Sequence, residues 1–198
     1  LAQQAHKAAP GFEPAAAAAI RRLAAADRRR KAIRVATEAW AHAPHPDIAE
    51  AYLAAFPGDD ALERMRHLER LAAANPDHVE SHLLLAEAAQ QARLWGEARR
   101  HLAKLVESET EAPARACRLM AEIEKAENGD VGAAERWRAR ADLATPDAVW
   151  ICEKCNTPAL RWSACCGHCG AFDTLSYRSP KRMLVLPPAL SAAMLGGN

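Results

Sequence analysis

The sequence predicts a mainly α-helical fold, a solenoid of helix pairs, followed by a small metal-bound β ribbon. Alanine is used heavily, whereas only ten of the 198 residues are aromatic (five Trp, two Tyr, three Phe). This mixture suits close helix-on-helix packing better than the core of a sheet. Prolines recur at regular intervals through the first three quarters of the chain, and two C-x-x-C hooks follow in the last quarter.

The proline interval predicts the repeat. Pro14, Pro46, Pro76 and Pro113 are separated by 32, 30 and 37 residues. A period in the thirties, with two helix-length segments in each unit, is typical of stacked helix pairs. Proline is tolerated at the first helical position because its missing N–H has no intrahelical partner there. In the segment 75–77, Asn75 is expected to cap a helix and the next acidic residue to favour the positive end of its dipole.

The clearest repeat unit runs from Pro76 to about Ser108, with a turn over residues 93–96. Small residues at Ala86 and Ala98 would let its two helices approach closely. Apolar residues at helical spacing mark one face of each helix: Val79, Leu83, Ala86 and Ala89, then Ala98, Leu102 and Leu105.

The other units repeat this pattern less completely. The last has its turn at residues 128–130, and the second has a short first helix that ends near residues 56–58. The first unit pairs residues 14–26 with residues 28–42. The positions that match the clearest unit are Ala61, Met65 and Leu68 in the second unit, and Ala121, Ala133 and Trp137 in the last.

The repeats resemble the tetratricopeptide repeat, with its small-large-small positions and a proline near each junction. His82 stands where that family has Trp, and Arg93 where it has Gly. The alternative is a plain antiparallel helix bundle without superhelical stacking.

The two hooks predict a metal site. Cys152 and Cys155 form the first, Cys166 and Cys169 the second, and ten residues lie between them. Two thiolates with two residues between them on a tight turn can bind the same tetrahedral ion. The residue types that follow each hook, Asn156 and Gly170, are those that best tolerate the positive φ of such turns.

Three alternatives concern this site. The hooks could form two disulfides instead, and the ion could be zinc or iron because a four-sulfur set suits either. Cys165 could replace its neighbour Cys166, but that would lengthen the second hook, so Cys165 is predicted to be a spare thiol. Cys117, in a helical stretch, is predicted to be a buried small apolar residue. His168, inside the second hook, is expected to face solvent.

Three short strands are expected around the hooks, at residues 149–151, 160–162 and 172–177. About 30 residues cannot bury a sufficient core, so the metal must contribute much of the folding free energy. The predicted domains are therefore helical repeats over residues 1–144, a zinc-ribbon or rubredoxin-like module over 149–178 and a tail over 179–198.

Helix-pair repeats followed by this cysteine and tryptophan pattern resemble the C-terminal part of the bacterial HemY-like proteins. The departures are Asn156 for the usual Gly and the run 165–167 for a more usual apolar-Cys-Pro. LapB-like assembly proteins of the bacterial envelope share a related architecture. The residues that carry the resemblance are Trp150, Cys152, Cys155, Pro158, Trp162, Cys166, Cys169, Gly170 and Asp173.

The HemY resemblance implies a protein on the cytoplasmic face of the bacterial inner membrane, associated with haem biosynthesis, with an N-terminal membrane anchor expected outside this chain. Direct haem binding follows only from the resemblance, and no pattern distinguishes the candidate axial ligands: His42, His45, His78 and His82. The uncharged stretch 183–198 is interrupted by two prolines and is shorter than the roughly 20 apolar residues of a membrane span.

The sequence favours a non-enzymatic scaffold whose repeats present a groove to a protein partner. Four thiolates leave no open coordination position for a substrate, although an iron-containing rubredoxin-like redox module remains the alternative. The 26 basic and 25 acidic residues argue against an electrostatically driven nucleic-acid binder. The basic run Arg28–Lys31, with Arg34 beyond it, could touch anionic lipid or RNA, but a solvated helix start is the more common explanation.

Overall fold

A computed structural model describes residues 2–107 and 112–180, and the chain divides into two compact units at Thr145. The described part of the first unit is helical and that of the second contains a small sheet. The helices are α1 Ala2–Ala8, α2 Glu13–Ala25, α3 Arg29–His42, α4 Pro46–Leu53, α5 Ala61–Ala72, α6 Val79–Gln91, α7 Trp95–Val106, α8 Ala114–Ile123 and α9 Val131–Leu143. A π-helical segment, Glu124–Asn128, continues α8.

The helices form a solenoid of hairpins, as predicted. Helices α2 and α3, α6 and α7, and α8 and α9 pair as hairpins, whereas the short α4 packs mainly on α2 and α5 packs mainly on α6. The first helices α2, α4, α6 and α8 also touch one another in turn. Each hairpin therefore makes its extensive contacts with its neighbours in the chain, which is the arrangement of a repeat solenoid. Small buried residues such as Ala86 and Ala98 lie at these contacts with no exposed surface.

One of the four prolines, Pro46, occupies the predicted first position of its helix, α4. Pro14 is the second residue of α2. The prediction for Asn75 is wrong, because α6 begins only at Val79 and His78 caps it through a hydrogen bond from the Glu80 N–H to His78 Nδ1, 3.1 Å long. Pro113 precedes α8 as its N-cap residue. Proline therefore marks each junction without always starting the helix.

The turns of the last two hairpins use left-handed residues. Arg93, with φ of 57°, ends the turn after α6, and Gly129, with φ of 65°, follows the π-helical segment. The helix after the first of these turns starts at Trp95, so Gly96 belongs to α7 and not to the predicted turn. Asp130 then caps α9, accepting a 2.8 Å hydrogen bond from the Ala133 N–H.

A buried polar link joins non-adjacent segments of the solenoid. Trp40 on α3 donates from Nε1 to Ser81 Oγ on α6 at 2.9 Å, and Ser81 Oγ donates to the Asn75 carbonyl oxygen at 2.6 Å. Trp40 and Ser81 have no exposed surface. The serine hydroxyl thus satisfies both the indole and the carbonyl, and Asn75 stabilises this junction through its backbone.

Replacing Ser81 with alanine should destabilise the helical unit by about 1–3 kcal/mol, because it leaves the Trp40 N–H buried without its partner. Thr37→Ala is the matched control: its hydroxyl bonds only to Ile33 within the same helix, and its loss should change stability by less than about 0.5 kcal/mol. Urea unfolding followed by circular dichroism measures both. Equal midpoints for the two variants would contradict the role assigned to Ser81.

The second unit contains an antiparallel three-stranded sheet in the order β2–β1–β3, with β1 Val149–Cys152, β2 Pro158–Ala159 and β3 Leu175–Arg178. The predicted second strand, 160–162, is wrong: β2 ends at Ala159, and Leu160 beyond it is fully exposed. A proline fits this place because β2 is an edge strand, where a missing N–H is tolerated. The third strand also starts later than predicted, at Leu175.

The predictions for Cys117 and for the basic run can also be compared with the structure. Cys117 is buried in the helical core, as expected, and burial raises the pKa of its thiol. The basic run Arg28–Lys31 is an exposed helix start, and Arg29 lies over the Phe56 ring at 5.2 Å. None of the helices in the described part of the chain combines the length and apolarity needed to cross a bilayer. The predicted tail lies outside the described residues from position 181 onward.

Candidate metal centre

The second unit brings the four predicted ligands together. Their Sγ atoms all lie within 4.8 Å of one another, so the cluster could hold a metal ion. Cys152 and Cys166 are buried, whereas the second cysteine of each hook lies nearer the surface. The first hook starts at the end of β1, and the second lies on the connection between β2 and β3. The four cysteines of this cluster are Cys152, Cys155, Cys166 and Cys169.

The sulfur separations fit a tetrahedral ion. The Sγ atoms of Cys152 and Cys169 are 3.8 Å apart, and those of Cys155 and Cys166 are 3.7 Å apart. Zn–S bonds of about 2.3 Å in a regular tetrahedron place the sulfurs about 3.8 Å apart. A disulfide needs a separation of about 2.05 Å, and all six cysteines are free. The alternative of two disulfides is therefore excluded in this structure, and the donor set fits zinc or iron.

The two hooks are built alike. In the first, the Asn156 N–H donates to the Cys152 carbonyl at 2.8 Å; in the second, the Gly170 N–H donates to the Cys166 carbonyl at 2.9 Å. The predicted positive φ is confirmed at both positions, 56° at Asn156 and 68° at Gly170. This conformation turns the backbone sharply after each second cysteine, so that both sulfurs of a hook face the same point.

A second pair of equivalent hydrogen bonds shows which cysteine begins each hook. The N–H of Cys152 donates to the Thr157 carbonyl at 3.1 Å, and the N–H of Cys166 donates to the Ala171 carbonyl at 2.8 Å. In each hook the first cysteine is thus bonded to the residue five positions later. Cys166, and not Cys165, occupies the position equivalent to Cys152.

Two threonines that the sequence pattern does not predict as part of the site contact the sulfurs. Thr157 Oγ1 lies 3.3 Å from Cys155 Sγ, and Thr174 Oγ1 lies 3.2 Å from Cys152 Sγ. Hydrogen bonding by Thr157 lowers the pKa of the Cys155 thiol to about 5, and that by Thr174 lowers the pKa of Cys152. Thr157 could have been found from its place two residues after the first hook. Thr174 could not, because only the fold brings it to Cys152.

The Cys155 and Cys169 thiols differ in pKa. The Ala171 backbone favours the Cys169 thiolate, but desolvation and the neighbouring sulfurs outweigh it and raise the pKa of Cys169 to about 11. Thiolates that share a small volume repel one another, so the last proton is held tightly. A divalent cation at the centre would remove that repulsion and displace the proton.

Cys165 lies outside the cluster. It is exposed, and its backbone forms an isolated antiparallel bridge with Phe172, while Ser163 Oγ donates to its carbonyl at 2.6 Å. His168, inside the second hook, is also exposed, as expected.

Replacing Cys165 with serine should therefore retain about one metal ion per chain, whereas Cys166→Ser should lose it or bind it much more weakly. The reason is that only Cys166 begins the hydrogen-bonded turn that aims its sulfur at the other three. Metal content after gel filtration, with thiol titration of the same samples, measures the difference. Loss of metal from Cys165→Ser together with retention in Cys166→Ser would show that the ligand assignment is wrong.

The candidate haem ligands occupy four different settings. His42 is the exposed last residue of α3, and His45 is buried and caps α4, accepting a 3.0 Å hydrogen bond from the Asp47 N–H. His78 caps α6, and His82 on α6 faces His101 on α7.

The chain is similar to a curated protein over nearly its whole length. It is 34% identical, over 198 residues, to a protein of Magnetospirillum gryphiswaldense named "Probable magnetosome protein Mms48". The alignment covers 98% of this chain but 44% of that protein, so the chain spans less than half the length of the curated relative it matches. No family model matches the chain.

Proposed function

We propose that the chain is a non-enzymatic scaffold of the HemY-like type, in which the helical hairpins bind a protein partner and a four-cysteine zinc site stabilises the ribbon. The observation that supports this proposal is that the first helices α2, α4, α6 and α8 contact one another in turn. First helices that pack in series offer one extended surface, and such surfaces are the usual binding sites of repeat proteins.

Hydrogen bonds and ion pairs between first helices show which charges this surface carries. Arg21 on α2 lies 3.5 Å from Glu50 on α4, and Gln90 on α6 donates to Glu122 on α8 at 2.7 Å. Arg115 on α8 also bonds to two glutamates of α6. Charges of both signs therefore line the series, and the partner is expected to be a protein segment with complementary charges, not an apolar helix or a nucleic acid.

A surface cavity of about 380 Å³ adds a candidate contact at the last hairpin. Arg118 and Glu122 of α8 lie on one side of it and Arg138 and Asp142 of α9 on the other. Its mixed charges match those of the bridged helices. A partner that runs along the first helices would reach this cavity at the end of the series.

The metal centre supports a structural role. Zinc in a closed four-thiolate site supplies folding free energy and leaves no position for a substrate. Iron on the same ligands would instead support electron transfer, the alternative function. Visible absorption and metal analysis of the purified protein separate the two, because a colourless protein with one zinc ion per chain contradicts the redox alternative.

The cellular setting of the scaffold rests on resemblance alone. The HemY resemblance implies haem biosynthesis at the cytoplasmic face of the bacterial inner membrane, and the LapB-like architecture implies envelope assembly. The name of the relative assigns that protein to the magnetosome. All three settings are compatible with a scaffold, so the partner decides among them.

Affinity purification after cross-linking tests the proposal. The intact chain should capture a protein whose cross-links map to the first helices, and Arg118→Glu should reduce that capture because it reverses a charge of this surface. Arg64→Glu, on the exposed face of α5, is the matched control and should capture the partner normally. Equal capture by both charge variants, or cross-links confined to second helices, would contradict the proposed surface.

A further inference from the structure

Positive charge is concentrated around the turn between α2 and α3, in residues 21–34, which form the basic turn. Seven of the 26 basic residues of the chain, but only one of its 25 acidic residues, fall within this segment. The rest of the chain is therefore net acidic, although the whole chain carries a net charge of only +1. The seven cations are all exposed: Arg21, Arg22, Arg28, Arg29, Arg30, Lys31 and Arg34.

Most of these cations have no acidic partner in the part of the chain that the structure describes. Arg21 lies 3.5 Å from a glutamate of α4, and Arg29 lies over an aromatic ring at 5.2 Å. No ion pair between described residues reaches the other five. In the later hairpins, by contrast, Arg99 and Arg115 each contact two glutamates. Charge that those hairpins neutralise internally is left open at the basic turn.

The stability of α3 does not explain this charge. Four cations occupy positions 28–31, where α3 begins, and no acidic residue lies in the first turn of this helix. Cations at this end oppose the helix dipole and also repel one another, so both effects destabilise the folded state. Asp27 is the one acidic residue of the segment. The charge at the basic turn therefore serves something other than the formation of the helix.

A surface cavity at the same place gives this charge a binding site. Its volume is about 510 Å³, which lies within the size range of ligand sites. Guanidinium groups and an ammonium around one cavity match the oxygens of a phosphate group. The described residues that line it are all charged: Asp27, Arg28, Arg29, Arg30 and Lys31.

The composition of the basic turn favours an anionic lipid surface over other polyanions. Residues 13–39 contain no aromatic side chain, whereas proteins bind single-stranded nucleic acids by stacking the bases on aromatic rings. The charged lining of the cavity also offers no apolar anchor of the kind found at the centre of protein interfaces. A cluster of four to eight basic residues on an amphipathic helix is instead typical of binding to anionic lipids. Helix α3 is amphipathic, because its buried face consists of Ala32, Ala36, Ala39 and Trp40.

We infer that the basic turn is a contact site for an anionic lipid bilayer, with a headgroup phosphate held in the cavity. A negative surface attracts this turn and repels the net acidic remainder of the chain, so the contact also orients the protein on the bilayer. The site is separate from the protein-binding surface proposed for the first helices, and either can fail without the other.

Co-sedimentation with vesicles tests the inference. The zinc-loaded chain is mixed at low salt with vesicles of equal parts phosphatidylglycerol and phosphatidylcholine, or of phosphatidylcholine alone. Wild type should bind only the anionic vesicles and should be released at about 1 M salt, where the screening length is about 3 Å. Replacing Arg28, Arg30 and Lys31 together with glutamine should weaken binding by roughly 100-fold, at about fivefold for each cation lost.

The matched control replaces Arg64, Arg66 and Arg136 with glutamine, which removes the same number of exposed cations from α5 and α9. It should bind anionic vesicles like wild type. Arg29 is retained in the test variant because of its contact with Phe56, and circular dichroism checks that both triple variants are folded. Equal binding by the two variants, equal binding of wild type to neutral vesicles, or tighter binding to polyuridylate than to anionic vesicles would overturn the inference.

Discussion

Replacing Cys152 with serine is expected to release the metal and unfold the ribbon while the helical unit remains folded. Cys152 is fully buried at the end of β1, and its sulfur lies 3.8 Å from that of Cys169. A module of about 30 residues has little core of its own, and a structural zinc ion contributes about 10–16 kcal/mol of apparent binding free energy in small domains. The other three ligand positions should behave in the same way.

Limited proteolysis measures this effect locally. Cleavage between residues 149 and 178 should become rapid in Cys152→Ser, whereas helical circular dichroism should stay near that of the wild type. A strong chelator added to the wild type should reproduce both results, and Cys165→Ser is the matched control, because its thiol is exposed and lies outside the cluster. Full metal occupancy in Cys152→Ser, or loss of the helical signal with the metal, would contradict the prediction.

The cysteine cluster was predictable because its geometry is local. The spacing of each hook and the residue after it already determine a turn in which two sulfurs face one point, and Asn156 and Gly170 have the positive φ that this requires. The choice of Cys166 over Cys165 followed from the same spacing. Whether zinc or iron occupies the cluster does not follow, since both ions accept four thiolates at similar distances.

Other features depended on contacts distant in the sequence. The sequence predicts the second strand at 160–162, but pairing with β1 selects Pro158 and Ala159. Asn75 has a capping residue type, yet its carbonyl is bonded to Ser81, and His78 caps the helix instead. Residue type indicates what a position can do, while the partner present in the fold decides what it does.

The contact between His82 and His101 could not be predicted from the sequence either, because the two residues lie on different helices. In the sequence, His82 stands where the repeat family has Trp, and no pattern distinguishes it from the other candidate histidines. Its partner stands 19 residues later on the facing helix. Only the hairpin geometry brings the two rings together, so no spacing rule within one helix could have identified the pair.

The second large effect on stability is expected at the ion cluster between α6 and α8. Arg115 Nη1 lies 2.8 Å from Glu80 Oε1, and its Nε and Nη2 bond both oxygens of Glu87 at 2.5 and 2.7 Å. The side chains of Arg115 and Glu80 are 23% and 13% exposed. Burial raises the pKa of Glu80 even though Arg115 lowers it. The arginine therefore offsets part of the rise in the Glu80 pKa that burial causes.

Arg115→Met should destabilise the helical unit by up to about 3 kcal/mol at neutral pH, because it leaves partly buried carboxylates without their cation. The pKa of Glu80 in the folded state should rise further above its unfolded value. A carboxyl whose folded pKa is raised holds its proton more tightly in the folded state, so the loss should grow as pH rises through that pKa and shrink toward acidic pH.

Urea unfolding of wild type and variant at several pH values tests the sign as well as the size. Arg100→Met is the matched control, because its pair with Glu97 is exposed and lies within one helix; its effect should stay below about 0.5 kcal/mol. Adding Glu80→Gln and Glu87→Gln to Arg115→Met should recover part of the loss and remove its pH dependence, since no carboxylate is then left unpaired. A loss that is constant across pH would mean that Arg115 acts through packing alone and that the carboxylates never required its charge.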